Sequence, residues 1–364
     1  MPADFTKSPA QIEDQLAFTC AHEKDRIPKR DPDADNLFEH ANWRYKKNLL
    51  KEDPAVYPEI ERLYRIATAW GHDKAANNLV DMILSGRTGQ GDRITKPVDI
   101  AEDLIARGIP HGHYIMGVLL NKGYGAKRDP DAALQHFRKA ADLGDPQAQF
   151  YVGDKLTQLT IDRPIPYKIG KQMKRCAADH GHAQAAIDTA LDLMDDSKTY
   201  AEAVKYFQIS VKAGGGAGAS FLEGAFNGPL PDNRLYYMGQ DKDEERATRY
   251  KKIRKTLDGY DYAGIRVDEI DEIVPLPPAK LPPWDGEIAW VKKWNKDEAP
   301  PLPDAMRIAE MALEKSLNPA TGLPVKLDLR AGMMRDPATD ERISPDDATS
   351  RVLAKMRDEA WRKK

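Results

Sequence analysis

Asp129-Pro130-Asp131-Ala132-Ala133-Leu134-Gln135-His136-Phe137-Arg138-Lys139-Ala140-Ala141-Asp142-Leu143-Gly144-Asp145-Pro146-Gln147-Ala148-Gln149-Phe150 is the stretch on which the fold of this chain turns. Ala133, Leu134, Phe137, Ala140 and Ala141 share the i, i+3, i+4, i+7 spacing of one helix face, which predicts an apolar stripe. Asp129 offers a capping carboxylate, and Pro130 fits the first turn, where its missing N–H has no partner to lose. Gly144 ends the helix, because a residue without Cβ enters the left-handed region at little cost. A second short amphipathic helix follows the turn.

The same turn recurs outward in both directions. It is found as Trp70-Gly71-His72-Asp73, Arg107-Gly108-Ile109-Pro110, His180-Gly181-His182-Ala183 and Gly214-Gly215-Gly216-Ala217, with marker glycines at Gly71, Gly108, Gly144, Gly181 and Gly215 that lie 37, 36, 37 and 34 residues apart. An aromatic stands six residues after three markers (Tyr114, Phe150, Phe221) and a glycine nine residues after (Gly117, Gly153, Gly224). Tyr64, Phe137 and Phe207 stand seven or eight residues before a marker, with Met173 in the fourth unit. Such phasing predicts one helix–turn–helix unit per interval. One pair cannot bury its apolar face alone. Neighbouring pairs therefore stack, giving an all-α solenoid of about five helix pairs with a concave inner surface. Small residues such as Ala148 and Gly153 let the next helix approach closely.

The string Ala133 through Gln149 resembles the Sel-one-like repeat, a relative of the tetratricopeptide repeat. The resemblance covers roughly residues 55–228 and is sharpest over 108–155. It departs from the pattern at Pro164, Pro166 and Ala190, and again at Gly214-Gly215-Gly216. It implies a protein-binding scaffold without catalysis. Residues 1–54 read as an N-terminal capping segment, in which Asp33 to Leu50 forms a first helix with Leu37, Phe38, Ala41, Trp43 and Tyr45. Asn227 to Asp232 is a cluster of breakers and marks the junction with a third segment, 229–364.

That third segment has no 37-residue rhythm. Asp241 to Leu257 predicts a charged helix whose apolar stripe is Tyr250, Ile253 and Leu257. Ile270 to Gly286 is dense in proline, which predicts an extended path without helix. Pro300 to Pro303 precedes a helix from Asp304 to Leu317. The turns Asn318 to Gly322 and Asp336 to Asp340 flank short irregular strands such as Val325 to Leu329, and a final helix runs from Pro345 to Trp361. The expectation is a smaller, proline-rich module of mixed character. Ile273 to Gly286, the helix bearing Trp290 and Trp294, and the Asn318 turn are together similar to a C-terminal module of certain bacterial Sel-one-like proteins. Several of these are immunity proteins encoded beside lipase toxins of the type VI secretion system, notably of the phospholipase D class. The resemblance implies a protein that neutralises a cognate lipase by blocking its active site or membrane-facing surface. A scaffold or adaptor for signalling or secretion components is the alternative.

Composition is that of an ordinary globular chain. Of its 364 residues 31% are charged and 41% hydrophobic, with a formal net charge of −3, so nothing points to nucleic acid. No stretch approaches the roughly 18 apolar residues of a membrane-spanning helix. The opening Met1 to Pro9 lacks the apolar core of a signal peptide, which taken literally is cytoplasmic; it also suits a mature segment after a removed leader, and the resemblance implies the periplasm. Cys20 and Cys176 lie in no metal-type spacing and read as two core thiols, with a disulfide between them the alternative.

Catalytic chemistry is not indicated. There is no G-x-S-x-G elbow, and Gly170-Lys171 is followed by Gln172 rather than the Ser or Thr of a phosphate loop. His22-x-Lys24 begins a phospholipase D signature, but Lys29 stands where Asp is required. His111-Gly112-His113 and His180-Gly181-His182 each offer two imidazoles, yet both fall at an inter-helix turn and read as polar turn residues. No catalytic residue, cofactor or metal is assigned. Two features are candidates for binding a partner. The acidic run Asp268, Glu269, Asp271 and Glu272 would complement a basic lipase site, unless it is simply a solvated face. Trp284, with Trp290 and Trp294, is either an interface anchor or a pin holding the module to the last repeat.

Overall fold

The computed structural model describes residues 9–89, 97–159 and 164–325, together with short strands at 327–328, 333–335 and 342–343. In chain order the helices are α1 (Pro9–Leu16), α2 (Pro32–Asn48), α3 (Tyr57–Ala69), α4 (Asp73–Leu84), α5 (Pro97–Ala106), α6 (Pro110–Lys122), α7 (Pro130–Leu143), α8 (Pro146–Gln158), α9 (Pro164–Asp179) and α10 (Ala183–Leu193). There follow α11 (Tyr200–Lys212), α12 (Gly216–Phe226), α13 (Glu244–Tyr260), α14 (Ile270–Ile273), α15 (Ala289–Asn295) and α16 (Ala305–Glu314). Among the described residues α3/α4, α5/α6, α7/α8, α9/α10 and α11/α12 are the five repeat pairs. The tail adds β1 (Leu327–Asp328), β2 (Met333–Arg335) and β3 (Arg342–Ile343), antiparallel in that order, with Leu327 opposite Met334 and Met334 opposite Ile343. The expected turn at 336–340 and helix at 345–361 lie outside the described residues.

The deciding stretch folds as its chemistry dictates. The Asp129 carboxylate accepts from the Ala132 amide at 3.0 Å and so caps α7. Gly144 closes the helix at φ 103°. Ala133, Phe137, Ala140 and Ala141 are buried, but Leu134 is 53% exposed, contrary to its expected place on the apolar face. It sits about 100° round the helix from Ala133, at the margin of the stripe. The glycine nine residues after a marker serves close approach: a Cβ on Gly117 would come within 2.7 Å of the Phe137 ring of the next unit. In the fifth unit Gly214 takes the left-handed turn (φ 95°), whereas the assigned marker Gly215 is the extended N-cap of α12. A run of three glycines let the turn move back by one residue.

The chain divides into two compact units that do not follow chain order. One comprises residues 1–27 and 101–298, the other 28–100 and 299–364. In the first, Phe207, Leu222, Phe226, Tyr250, Ile253, Leu257, Ile270, Val274 and Ile288 form a continuous core spanning the last repeats and the chain beyond them. An N-terminal strap of the same unit crosses the α7–α8 and α9–α10 turns. Glu23 donates its amide to Gly144 O at 3.0 Å, Gln149 Nε2 donates to Ala21 O at 3.0 Å, and Arg138 Nη2 donates to Ala17 O at 2.7 Å. A side chain on Gly144 would come within 2.6 Å of the strap backbone at His22, so this glycine serves both turn and passage.

Cys20 and Cys176 are joined in a disulfide with Cα atoms 5.6 Å apart, inside the usual range of roughly 4.4–6.8 Å. The expectation of two core thiols fails because only Cys176 is in the core; Cys20 lies exposed on the strap. In the second unit α2 packs on α3, and the returning chain packs on these helices too. Trp70 Nε1 donates to Met311 O at 2.9 Å, Lys315 Nζ lies 4.7 Å over the Trp70 ring, and Arg62 Nη1 donates to Pro319 O at 3.0 Å. The first helices are thus partnered by α16 and the Asn318 turn.

Candidate functional site

The proline-rich segment is a ribbon held by side chains. Proline brings no N–H, so the ribbon's carbonyls must find donors elsewhere or face water. Those donors come from α13. Arg249 Nη1 donates to Ile273 O at 2.7 Å and Nη2 to Pro282 O at 2.8 Å; Arg246 donates to Pro275 O at 3.3 Å and to Ala279 O. A guanidinium suits this work, because its planar fork reaches two acceptors and stays charged. Asp243, the N-cap of α13, and Glu245 in its first turn offset the two buried charges. Below the ribbon, Gln208 Nε2 donates to Val274 O at 3.1 Å and to Asp271 Oδ1 at 2.9 Å, while the buried Tyr250 hydroxyl donates to Gln208 Oε1. Ile270–Ile273 forms one helical turn, so the expected helix-free path begins only at Val274; prolines start at Pro275, beyond that turn.

The acidic run is largely engaged within the unit. Asp268 pairs with Arg266 at 3.1 Å. Glu269 Oε1 accepts from the Ala289 amide at 2.7 Å and thereby caps α15, whose own N-cap, Ile288, has no acceptor. Asp271 takes bonds from Gln208 and Lys212. Burial opposes its charge, yet these two donors prevail and hold the carboxyl below its ordinary range. Glu272 is exposed. Trp284 is half-buried between Arg249 and Lys252, 5.8 and 5.7 Å from its ring, and donates Nε1 to Glu287 O. Trp290 stacks on Trp294 at 4.9 Å and meets Tyr260 edge-on. All three tryptophans are packed within the unit. What the ribbon presents outward is Pro277, Pro278, Ala279, Lys280 and Pro283, beside Asp268 and Glu272. Such a strip, fixed before any partner arrives, loses little entropy on docking. Arg246 and Arg249 escaped the sequence analysis. Their signal is a pair of arginines at i, i+3 on the helix preceding a segment that lacks amide donors.

The histidines form a second, repeating pattern. His72 Nδ1 accepts from the Ala75 amide and His182 Nδ1 from the Ala185 amide, each at 3.1 Å, the position at which Asp145 caps α8. An imidazole accepting at Nδ1 carries its proton on Nε2. His72 thus donates to Asp35 at 3.0 Å and His182 to Gln147 of the preceding unit at 3.1 Å. Each ring also lies flat on an aromatic, Phe38 or Phe150, at 4.5 Å. Burial lowers both imidazoles below their ordinary range, outweighing the carboxylates around them, which suits the neutral acceptor form. His111 meets Asp145 at 2.6 Å, His113 meets His136 at 3.0 Å, and His180 stacks on His22. The two imidazoles of each His-Gly-His therefore serve different partners.

Paired helices, a glycine at each turn and small residues where neighbouring helices approach define a helix-pair repeat protein. Residues 110–145 match the Sel1 repeat, and residues 218–325 match the domain of unknown function DUF6396, which takes in the ribbon, its arginines and the Asn318 turn. The chain is a Sel1 repeat protein with a DUF6396 domain in its C-terminal part. No curated protein matches it. Among solved structures it is similar to immunity protein PA5088 from Pseudomonas aeruginosa, at 26% identity over 72% of this chain and 95% of that one, with a TM-score of 0.52. Immunity protein Pa5087 and protein PA5086 of the same organism each share 29% identity over the same fractions, with TM-scores of 0.49.

Proposed function

We propose that the chain is an immunity protein that binds a cognate type VI secretion lipase, a phospholipase of the D class being favoured, and covers its active site or membrane-facing surface. The observation that carries this is the likeness to immunity protein PA5088, which extends over nearly the whole of that protein. The ribbon supports it physically, since it offers an exposed strip with Asp268 and Glu272 nearby in sequence to a basic cleft. The disulfide supports a periplasmic place of action, because such bonds persist in oxidising compartments.

The test is hydrolysis of phospholipid by that cognate lipase, titrated with the purified chain. Inhibition that saturates at one chain per toxin is the expected result. Binding without inhibition would turn the assignment to an adaptor, and no binding at all would end it. Reversing charge at both Asp268→Lys and Glu272→Lys should weaken binding by about tenfold, or roughly 1.4 kcal/mol, with thermal stability unchanged. Cells exposed to toxin in the periplasm should be protected only by a chain given an export leader.

A further inference from the structure

We propose that the Cys20–Cys176 pair, when reduced, is a zinc site in which His180 is the third ligand. Sequence spacing hides this site, because its halves come from the strap and from α9, 156 residues apart. The fold puts them together. Cys176 lies in the last turn of α9 and His180 just past its end, four residues on, with His180 Nδ1 3.9 Å from Cys176 Sγ. Bond lengths of about 2.3 Å to sulfur and 2.05 Å to nitrogen, set at the tetrahedral angle, call for about 3.6 Å between those atoms. The ligand atoms of Cys20, Cys176 and His180 all lie within 4.8 Å of one another. The His22 ring lies face to face on the His180 ring at 4.0 Å and steadies it beside the two sulfurs. Two thiolates and an imidazole, with water in the fourth position, are a donor set that selects zinc over hard cations.

Movement on reduction falls on the side able to move. The sulfurs must part to about 3.8 Å in a tetrahedral site. Cys176 sits among buried Met173 and Ala177 and is fixed, whereas Cys20 is exposed on the strap. A water-soluble phosphine supplies the reduction. It takes oxygen from water to become the phosphine oxide, two electrons break the S–S bond, and the two protons of that water go to the sulfurs. Zinc then displaces both thiol protons. The strap is thereby held to α9 under either redox condition, by a covalent bond or by the ion.

The full-length chain is reduced with phosphine, desalted without air, and titrated with cobalt(II) and then zinc. Expected are one cobalt per chain with a thiolate-to-cobalt absorption band and tetrahedral visible bands, displacement by zinc, and no binding to the oxidised chain. His180→Ala, which keeps both cysteines, should lose roughly tenfold or more in affinity, since even outer-shell changes cost that much. The double variant Cys20→Ser, Cys176→Ser should show no thiolate band while its helical circular dichroism persists. Three results would overturn the proposal: no thiolate–cobalt band in the reduced chain, unchanged affinity in His180→Ala, or loss of helical signal on reduction before metal is added.

Discussion

At the turn between α7 and α8 the backbone does its own work, whereas between Val274 and Ile288 it is held by side chains from elsewhere. The repeat turn closes on Gly144, Asp145 caps the next helix, and apolar faces only a few residues away bury each other. The ribbon has no internal ladder; Arg246, Arg249 and Gln208 satisfy its carbonyls across sequence gaps of 24 to 66 residues. One region is local, periodic and forgiving at any single polar bond. The other is non-local and depends on a few cations. Disturbing the first should cost the whole unit its stability, and disturbing the second should release the ribbon while the helices stay folded.

Phe207→Ala strikes the shared core, where the ring is fully buried and stacked on Phe221 at 4.6 Å. A loss of about 3–5 kcal/mol is expected in urea unfolding, with repeat and ribbon melting together; a ribbon that melted separately would show two units where the packing shows one. Arg249→Ala strips Ile273 O and Pro282 O of their donor, for about 2–3 kcal/mol. Hydrogen exchange should quicken around Glu287 and Ala289, with far-ultraviolet circular dichroism almost unchanged. Global loss of helix would contradict the division drawn above.

His182→Ala removes one cap, worth about 1 kcal/mol, and His182→Asn should restore most of it. A role in packing on Phe150 rather than in capping would leave Asn as poor as Ala. The same caps give a pH dependence. His72 and His182 have folded values below the unfolded one, so their contribution is complete above about pH 6.5 and is lost as pH falls through the folded values. Thermal melts should therefore descend from pH 7.5 toward pH 5, and His72→Asn with His182→Asn should flatten that descent. Smallest is Leu134→Gln: with that side chain 53% exposed, stability should move by less than about 0.5 kcal/mol. A larger loss would return Leu134 to the core face.

The repeat was legible because everything it needs lies within one interval. Asp129, Pro130, Phe137 and Gly144 each act on residues a turn or a unit away, so their types and spacing suffice to place α7 and its neighbours. The caps at His72 and His182 were legible in position and missed in role, since histidine is an uncommon cap whose Nδ1 accepts only while the ring stays neutral. The acidic run was visible as charge, but that Glu269 caps α15 and Asp271 meets Lys212 depends on distant chain. Nothing in the spacing of two cysteines distinguishes a thiol from a bond.

Sequence by itself determined the helix pairs, their period, the breaks around Asn227 and the non-helical course from Val274 to Gly286, because caps, glycine turns and proline act through neighbours along the chain. Tertiary structure alone decided which segments share a unit: the strap with α9 through Cys20 and Cys176, the ribbon with α13 through two arginines, and α16 with α2 and α3 through Asp33 and Trp70. Those choices rest on burial and on donors meeting acceptors across long loops. Loop-closure cost grows only slowly with length, so chain distance does little to forbid a pairing or to announce it.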